Sequence, residues 1–226
     1  MNDLDYHLLV FDWDGTLMDS EARIVACLQS AIAVTGAEPR PPARLSHVIG
    51  LGLGEAIRSL YPDQGPGFVE AFAEAYRERF LALDHSPSEL FDGAVETLEV
   101  LRQRGYRLAI ATGKARRGLD RVLGKLGLSA YFDATRCADE TRSKPDPRML
   151  HELMSELALP PERTLMIGDT EYDMQMAVNA GVAALAVSYG VHPVDTLLRI
   201  GAHGHIDAIR DLPAWLSARP PARSTA

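Results

Sequence analysis

The chain has little lysine and little cysteine. The few cysteines exclude a disulfide-stabilised protein, and the few lysines exclude sites that need a lysine at a position where there is none. Only Lys114, Lys125 and Lys144 among its 23 basic residues are lysines, so each lysine position is informative. Two cysteines are too few for a disulfide framework, and we expect both to be buried thiols. No apolar run reaches the roughly 18 residues that would predict a membrane-spanning helix.

Positive charge is also in deficit, because 31 acidic residues outnumber the 23 basic ones and the net charge is −8. This balance gives no electrostatic reason to expect nucleic-acid or anionic-membrane partners. No charged segment followed by an apolar one opens the chain as in a secretory signal. We therefore expect a soluble, cytoplasmic protein whose 226 residues form one large domain, or a core with a smaller insert.

Short apolar runs that end in polar or glycine residues predict a parallel α/β sheet. The first run, Leu8–Phe11, is typical of a strand that is buried on both faces. Helical patterns with glycine stop signals separate it from the later runs, and such alternation is typical of parallel sheets. The further strand candidates are residues 108–111, 132–135, 165–167 and 183–187.

One long stretch interrupts this alternation. From residue 20 to residue 87 the apolar residues recur at helical spacing, as in Ile24, Leu28 and Ile32, and no good strand pattern occurs. The simplest interpretation is a small helical domain inserted after the first strand. We expect an α/β core domain at 1–19 and 88–218, a helical cap domain at 20–87, and a disordered tail at 219–226.

Four clusters of polar residues follow the apolar strands or lie between them. In an open α/β sheet, the carboxyl ends of the strands line the ligand crevice, so these clusters can converge. Their residue types suit phosphoryl transfer, because a carboxylate can attack phosphorus while Mg²⁺, hydroxyl and ammonium groups hold the oxygens. The clusters are Asp12 with Asp14, Thr112-Gly113-Lys114, residues 143–147 around Lys144, and residues 168–173.

These clusters resemble the four motifs of the haloacid dehalogenase-like hydrolase superfamily, and specifically its phosphoglycolate phosphatase-like branch. The motifs occur in order as Asp12-Trp13-Asp14-Gly15-Thr16, Ala111-Thr112-Gly113, Lys144-Pro145 and Gly168-Asp169-Thr170-x-x-Asp173. The resemblance spans nearly the whole chain. It implies a Rossmann-like parallel sheet with an α-helical cap domain inserted after the first strand.

The resemblance also implies roles for the acidic residues. Asp12 corresponds to the nucleophile and a Mg²⁺ ligand, and Asp14 to the general acid and base, with its main-chain carbonyl on the metal. Asp169 corresponds to a further Mg²⁺ ligand. Asp173 either orients metal-bound water or Lys144 or caps a helix. From its place after Gly15, Thr16 either supports the loop that carries the first two acids or contacts the substrate directly.

Phosphate binding is implied for two further motifs. The Thr112 hydroxyl and the main-chain amides around Gly113 correspond to groups that bind the phosphoryl oxygens. Lys144 corresponds to a lysine that lies over Asp12 and the phosphate. Lys114 has no role in this pattern, and we expect its side chain to be solvated.

Within the superfamily, the sequence favours a phosphatase. Dehalogenases lack the second acid of the first motif, which this chain has as Asp14. Phosphonate hydrolases need a cap lysine for a Schiff base, and residues 20–87 contain no lysine. Phosphosugar mutases carry a cation in the first cap loop; the comparable loop at 49–55 has none, although Arg44 and Arg58 lie nearby.

The glycine-alternating loop at 49–55 is the candidate specificity element of the cap. If it contacts the substrate, Gly52 allows a close backbone approach, and Glu55 or Arg58 could bind the leaving group. A plain turn between two helices is the alternative interpretation.

The sequence thus predicts a Mg²⁺-dependent phosphatase that acts on a small phosphorylated metabolite through an aspartyl phosphate. A phosphosugar mutase on the same scaffold is the alternative within the family. A receiver-like phosphoacceptor switch, which also combines acids, threonine and lysine around Mg²⁺, is the alternative from another class. We expect a monomer or a homodimer.

Overall fold

The structure, a computed structural model, describes residues 6–82 and 89–218. The expected tail at 219–226 and the expected boundary between residues 87 and 88 lie outside the described residues. Its strands are β1 (Leu8–Phe11), β2 (Met18–Asp19), β3 (Glu89–Leu90), β4 (Arg107–Thr112), β5 (Ala134–Cys137), β6 (Thr164–Gly168), β7 (Ala183–Val187) and β8 (His205–Ile206). Its α-helices are α1 (Glu21–Thr35), α2 (Pro42–His47), α3 (Leu53–Leu60), α4 (Pro66–Ala82), α5 (Ala94–Gln103), α6 (Arg116–Leu126), α7 (Arg148–Leu157), α8 (Glu171–Ala180), α9 (Val194–Ile200) and α10 (Leu212–Ser217).

Six strands form a parallel sheet in the order β5-β4-β1-β6-β7-β8, which confirms the predicted α/β fold class. The last residue of β1, Phe11, lies opposite Ile110 of β4 and Ile167 of β6. Since these three strands stop nearly level with one another, Asp12, Thr112 and Gly168 reach the same edge of the sheet. The short edge strand β8 was not predicted.

Strand β1 shows why the sheet is covered on both faces. Leu9 and Phe11 belong to one apolar cluster with residues of α5, α6 and α10. Leu8 and Val10 belong to a second cluster with residues of α7, α8 and α9. Successive side chains of a strand point to opposite faces, so an apolar run without alternation requires helices on both sides.

The chain between β2 and β3 holds α1 to α4, which we call the helical insert. Its apolar residues form a third cluster that includes Leu28, Leu45, Ile57 and Phe72. Strands β2 and β3 pair antiparallel where the chain leaves the sheet region and returns to it. No helix in the described part of the chain is long and apolar enough to cross a membrane.

Phe72 tests whether this third cluster stabilises the protein. Its side chain is fully buried in α4 and packs against the rings of Tyr61 and Phe68. Phe72→Ala removes this buried surface and leaves a cavity, so we expect the free energy of unfolding to fall by about 3–5 kcal/mol. Urea denaturation followed by circular dichroism measures the change. The control Val34→Ala, at an exposed position of α1, should alter stability by less than about 0.5 kcal/mol.

Candidate active site

The carboxyl edge of the sheet gathers three of the four polar clusters. The Asp12 amide directly after β1 donates a hydrogen bond of 2.9 Å to the carbonyl of Ile167 in β6. Thr112 ends β4, and Asp169 follows the end of β6. The side chains of Asp12, Thr112 and Asp169 are all buried. The parallel register thus brings these predicted site residues to one crevice, as expected for this fold.

Lys144 enters this crevice from the loop between β5 and α7. Its ammonium lies 2.7 Å from Asp12 Oδ1 and 2.6 Å from Asp173 Oδ1, and its side chain is fully buried. Burial favours the neutral amine, but the charges of Asp12 and Asp173 outweigh it and raise the pKa of Lys144. The lysine therefore stays charged and holds two carboxylates from different loops together.

Asp173 has two functions in this arrangement. Its Oδ2 accepts hydrogen bonds from the Thr170 amide and hydroxyl, at 3.0 and 2.7 Å. The Asp173 amide in turn donates to the Thr170 hydroxyl oxygen at 3.4 Å, and the two amide bonds form a capping box at the start of α8. Its Oδ1 faces Lys144. A Cβ at Gly168 would lie 2.5 Å from the Asp173 Cβ, so only glycine leaves room for this approach. Asp173 therefore makes both contacts that the sequence suggested as alternatives: it caps α8 and pairs with Lys144.

Asp169 is fixed by its neighbours on every side. Its carboxylate accepts 2.9 Å hydrogen bonds from the Thr16 hydroxyl and the Val191 amide. Side chains at Gly15, whose φ is +85°, or at Gly190 would overlap Asp169. Burial and the charge of Asp173 raise the pKa of Asp169 to about 7.

The carboxylates of Asp12, Asp169 and Asp173 form a cluster in which one oxygen of each lies within 4.8 Å of the others. Burial raises the pKa of Asp12 well above its usual value; the charge of Lys144 opposes this rise, and those of Asp173 and Asp169 add to it. Asp12 Oδ2 is buried without a hydrogen-bond partner among the described residues. Crowded, buried carboxylate oxygens with one atom unsatisfied fit a hard divalent cation such as Mg²⁺.

Asp14 contributes no carboxylate to this cluster. Its carboxylate instead accepts a hydrogen bond of 2.6 Å from the Ser20 hydroxyl. The Lys114 ammonium lies 2.8 Å from both Asp14 oxygens. The resemblance implied that Asp14 reaches the metal through its main-chain carbonyl, and a carboxylate that pairs with Ser20 and Lys114 is compatible with that role.

The expectation that Lys114 is solvated was wrong. Only 12% of its side chain is exposed, and its ammonium lies 5.2 Å from the ring centre of Phe80 in the helical insert. The turn after Thr112 directs the side chain towards the buried carboxylate of Asp14, and the ion pair makes up for the lost hydration. The sequence signal was the rarity of lysine together with its place directly after the Thr112-Gly113 motif.

The loop at 49–55 lies against the crevice. The Gly52 amide donates a hydrogen bond of 2.8 Å to the Ser143 hydroxyl, beside Lys144. A Cβ at Gly113 would lie 2.5 Å from the Leu51 carbonyl, so the loop covers the end of β4 closely. Gly50 adopts a φ of +99°, which favours glycine. The loop is therefore a contact of the helical insert with the sheet edge.

Glu55 lies beside this contact, because a Cβ at Gly52 would be 2.8 Å from Glu55 Oε2 and 3.3 Å from Ser143 Oγ. Glu55 and Arg58 form an ion pair of 3.3 Å on the surface of α3, with 51% and 61% of their side chains exposed. Of the three cap residues that the sequence singled out for specificity, the structure therefore places Gly52 and Glu55 near Ser143, the neighbour of Lys144, and leaves Arg58 on the surface.

Two histidines that the sequence analysis did not single out join the helical insert to the core. The rings of His47 and His192 stack with their centres 4.7 Å apart. His192 Nδ1 accepts a hydrogen bond from the Glu171 amide, so Nε2 carries the proton and faces the His47 carbonyl at 3.1 Å. His47, Glu171 and His192 lie close enough for a metal site, but both His192 nitrogens are already engaged. This cluster therefore holds the insert in place.

Comparisons with known proteins agree with this geometry. The chain is 34% identical over 196 residues to the probable phosphatase IndB of Dickeya dadantii, with 84% of each chain covered. It is 33% identical over 190 residues to the phosphoglycolate phosphatase of Agrobacterium fabrum, with 81% of each chain covered. The crystal structure of a hydrolase from Pseudomonas syringae superposes with a TM-score of 0.86 at 26% identity, covering 93% of this chain and 98% of that one.

A sequence model of the family described as haloacid dehalogenase-like hydrolase matches residues 9–187. This range begins in β1 and ends with β7, so it includes Asp12, Asp14, Thr112, Lys144, Asp169 and Asp173. The protein belongs to the haloacid dehalogenase-like hydrolase family.

Proposed function

We propose that the protein is a Mg²⁺-dependent phosphatase that hydrolyses a small phosphate monoester through an aspartyl phosphate on Asp12. One observation carries the proposal: the buried Asp12 carboxylate has one oxygen paired with Lys144 and the other unsatisfied among the described residues. A carboxylate in this state can bind a cation and attack phosphorus. The names of the Dickeya and Agrobacterium relatives, a probable phosphatase and a phosphoglycolate phosphatase, support the same activity.

In the first step, an Asp12 oxygen attacks phosphorus and the bond from phosphorus to the ester oxygen breaks. The departing oxygen takes a proton from the carboxylic acid form of Asp14 and leaves as an alcohol. Lys144, held 2.7 Å from Asp12, neutralises negative charge on the transferring group. The Thr112 hydroxyl and the amides at Gly113 bind the remaining phosphoryl oxygens.

In the second step, water attacks the phosphorus of the aspartyl phosphate. The Asp14 carboxylate accepts a proton from this water, and the bond from phosphorus to Asp12 breaks. Inorganic phosphate leaves, and both aspartates return to their starting states. One residue thus serves as acid and then as base, and proton transfer of this kind contributes about 10²–10⁴-fold to rates.

Asp12, Asp169 and the main-chain carbonyl of Asp14 would hold Mg²⁺, with Asp173 beside them. A bound Mg²⁺ would neutralise the charge between the carboxylates and the phosphate and so lower their mutual repulsion. The protein supplies the rigid frame, since Thr16 and Val191 fix the Asp169 carboxylate and Lys144 fixes those of Asp12 and Asp173.

We propose that the helical insert acts as a cap over this site. Its loop at 49–55 contacts Ser143 and Gly113, and the Tyr172 hydroxyl donates a hydrogen bond of 3.0 Å to the His47 carbonyl of α2. A cap in this position would exclude bulk water and orient the substrate over Asp12.

The residues of the helical insert favour a phosphatase over a phosphosugar mutase. A phosphosugar mutase must hold a second phosphate while the sugar turns over, and the nearby Arg58 is exposed and paired with Glu55. A phosphoacceptor switch would keep its phosphoryl group. Turnover of a phosphate ester therefore distinguishes the proposal from the switch.

The nucleophile is tested with Asp12→Asn. We expect kcat for p-nitrophenyl phosphate with Mg²⁺ to fall by at least about 10³-fold, because the amide cannot form the acyl phosphate. Initial rates of p-nitrophenolate release measure the loss. The matched control Asp63→Asn, at an exposed position between α3 and α4, should keep the wild-type rate. A variant that retains more than a tenth of the wild-type kcat, or a wild type that is phosphorylated once without turnover, would contradict the proposal.

The proton-transfer role of Asp14 predicts that its loss depends on the leaving group. With Asp14→Asn, we expect kcat/KM for 2-hydroxyethyl phosphate to fall by about 10²–10⁴-fold, because an alkoxide is a poor leaving group without a proton. The loss with p-nitrophenyl phosphate should be at least about tenfold smaller, since p-nitrophenolate leaves without protonation. Steady-state kinetics with both esters measure the two losses, and equal losses would rule out this role.

The metal site is tested through Thr16, whose hydroxyl donates to Asp169. Thr16→Val keeps the side-chain shape and removes this hydrogen bond. We expect the Mg²⁺ concentration for half-maximal activity to rise by about 10–100-fold, as is usual for groups that orient metal ligands. Activity titrations from metal-free enzyme measure this value, with Thr35→Val in α1 as the control. A Mg²⁺ dependence equal to that of the wild type would contradict the assignment of Asp169.

A further inference from the structure

The helical insert closes the carboxylates of the proposed site off from solvent. Asp12, Asp169 and Asp173 each expose at most 1% of their surface. The loop at 49–55 lies over the end of β4. A phosphate ester therefore reaches Asp12 only when the insert moves away from the sheet edge. A residue that contacts both the insert and a metal ligand links this movement to metal binding.

Three successive residues of the loop after β7 enclose Asp169, a proposed ligand of the metal. A Cβ at Gly190 would lie 2.1 Å from the Asp169 Cβ, so the chain passes directly against this residue. The Val191 amide donates a hydrogen bond of 2.9 Å to Asp169 Oδ2. The His192 amide donates one of 3.2 Å to the main-chain carbonyl of Asp169. The position of the Asp169 carboxylate therefore depends on residues 190–192.

Val191 and His192, which we call the strap, contact the helical insert with their side chains. The half-buried Val191 side chain packs against the apolar cluster of the insert. The His192 ring stacks on the ring of His47 in α2, and its Nε2 donates a hydrogen bond of 3.1 Å to the His47 carbonyl. The strap thus contacts the insert through its side chains and Asp169 through its amides.

The other nitrogen of the His192 ring fixes the strap to the core. Nδ1 accepts a hydrogen bond of 3.0 Å from the Glu171 amide in the first turn of α8. His192 is only 4% exposed, so bulk water does not replace either partner while the insert is in place. When the insert moves away, Nε2 loses the His47 carbonyl and Val191 loses its apolar packing. The strap is then held on one side only, and it supports Asp169 less firmly.

A second contact joins the same part of the insert to the chain after Asp169. A Cβ at Gly50 would lie 2.9 Å from Thr170 Oγ1. The Thr170 hydroxyl and amide both donate to Asp173, another member of the acidic cluster. Residues 47–50 of the insert therefore touch both segments that position Asp169: the strap on one side and the start of α8 on the other.

We propose that the strap couples closure of the insert to Mg²⁺ binding, with Val191 and His192 as positioning residues for Asp169. The closed insert aligns the Asp169 carboxylate for the metal, and bound Mg²⁺ in turn favours the closed insert. Linkage requires the two effects to be equal in free energy. This inference rests on the proposed function, because it needs Mg²⁺ at Asp169 and a cap over the site.

Two variants change the side chains of the strap and keep its amides. Val191→Ala shortens the side chain that packs on the insert. His192→Asn keeps an acceptor near the Glu171 amide but is too short to reach the His47 carbonyl. We expect the Kd for Mg²⁺ to rise by about fivefold in Val191→Ala and by about 10–50-fold in His192→Asn. Isothermal titration calorimetry of the metal-free enzyme with MgCl₂ measures both values without substrate.

The matched controls are Val178→Ala and His151→Asn, at exposed positions of α8 and α7. Both should bind Mg²⁺ with the wild-type Kd, since neither residue belongs to the strap. Circular dichroism shows whether each variant is folded. If His192→Asn does not fold, Val191→Ala carries the test, because it leaves both ring contacts of His192 in place.

Hydrogen–deuterium exchange tests the coupling in the reverse direction. Peptides covering residues 47–53 report on closure, because the Gly52 amide donates to Ser143 across the contact between the insert and the core. We expect saturating Mg²⁺ to slow exchange there by about fivefold or more in the wild type. This slowing should be lost in His192→Asn and reduced in Val191→Ala. A strap that only shaped Asp169 would change the Kd but leave the exchange of the insert independent of Mg²⁺.

Two results would overturn the inference while leaving the proposed function intact. One is a wild type that hydrolyses p-nitrophenyl phosphate with Mg²⁺ although residues 47–53 exchange equally fast with and without the metal. The other is a pair of folded strap variants that keep both the wild-type Kd and the slowing by Mg²⁺. A wild type that neither binds Mg²⁺ nor hydrolyses p-nitrophenyl phosphate would instead show that the proposed function itself is wrong.

Discussion

The site depends on one buried ammonium that joins two carboxylates. Lys144 lies between Asp12 after β1 and Asp173 in α8, at 2.7 and 2.6 Å, with no exposed surface on its side chain. Without it, three buried carboxylates would face one another, and unpaired buried charge is costly. Lys144 pairs with Asp12 Oδ1, and Asp12 Oδ2 has no hydrogen-bond partner in the described part of the chain. Lys144 therefore offsets the repulsion within the acidic cluster and fixes the positions of the Asp12 and Asp173 carboxylates.

Much of the fold was readable from the sequence, because apolar runs such as Leu8–Phe11 have no alternation and must be covered on both faces. The same logic located β4, β6 and β7 to within a residue or two. Strands β2, β3 and β8 were missed since two residues carry no periodicity. Each of these strands pairs with a strand that is distant in the sequence, and the local pattern of residues does not reveal that partner.

The site was predictable where a motif lies at a strand end, as for Asp12, Thr112 and Asp169. The sequence could not predict side-chain contacts that form only because the helical insert packs against the edge of the sheet. Lys114 is the clearest case, because a lysine in a loop is usually solvated, and only the positions of Asp14 and Phe80 turn it inward. The stacking of His47 on His192 likewise joins residues that lie far apart in the chain.

In the proposed mechanism, the phosphoryl group passes through Asp12 before it reaches water. The most direct measurement is the stereochemistry at phosphorus, followed with a chiral, isotopically labelled phosphate monoester in labelled water. Two successive in-line displacements, first by Asp12 and then by water, predict overall retention of configuration. Inversion would mean that water attacks the substrate directly, and it would contradict the role given to Asp12.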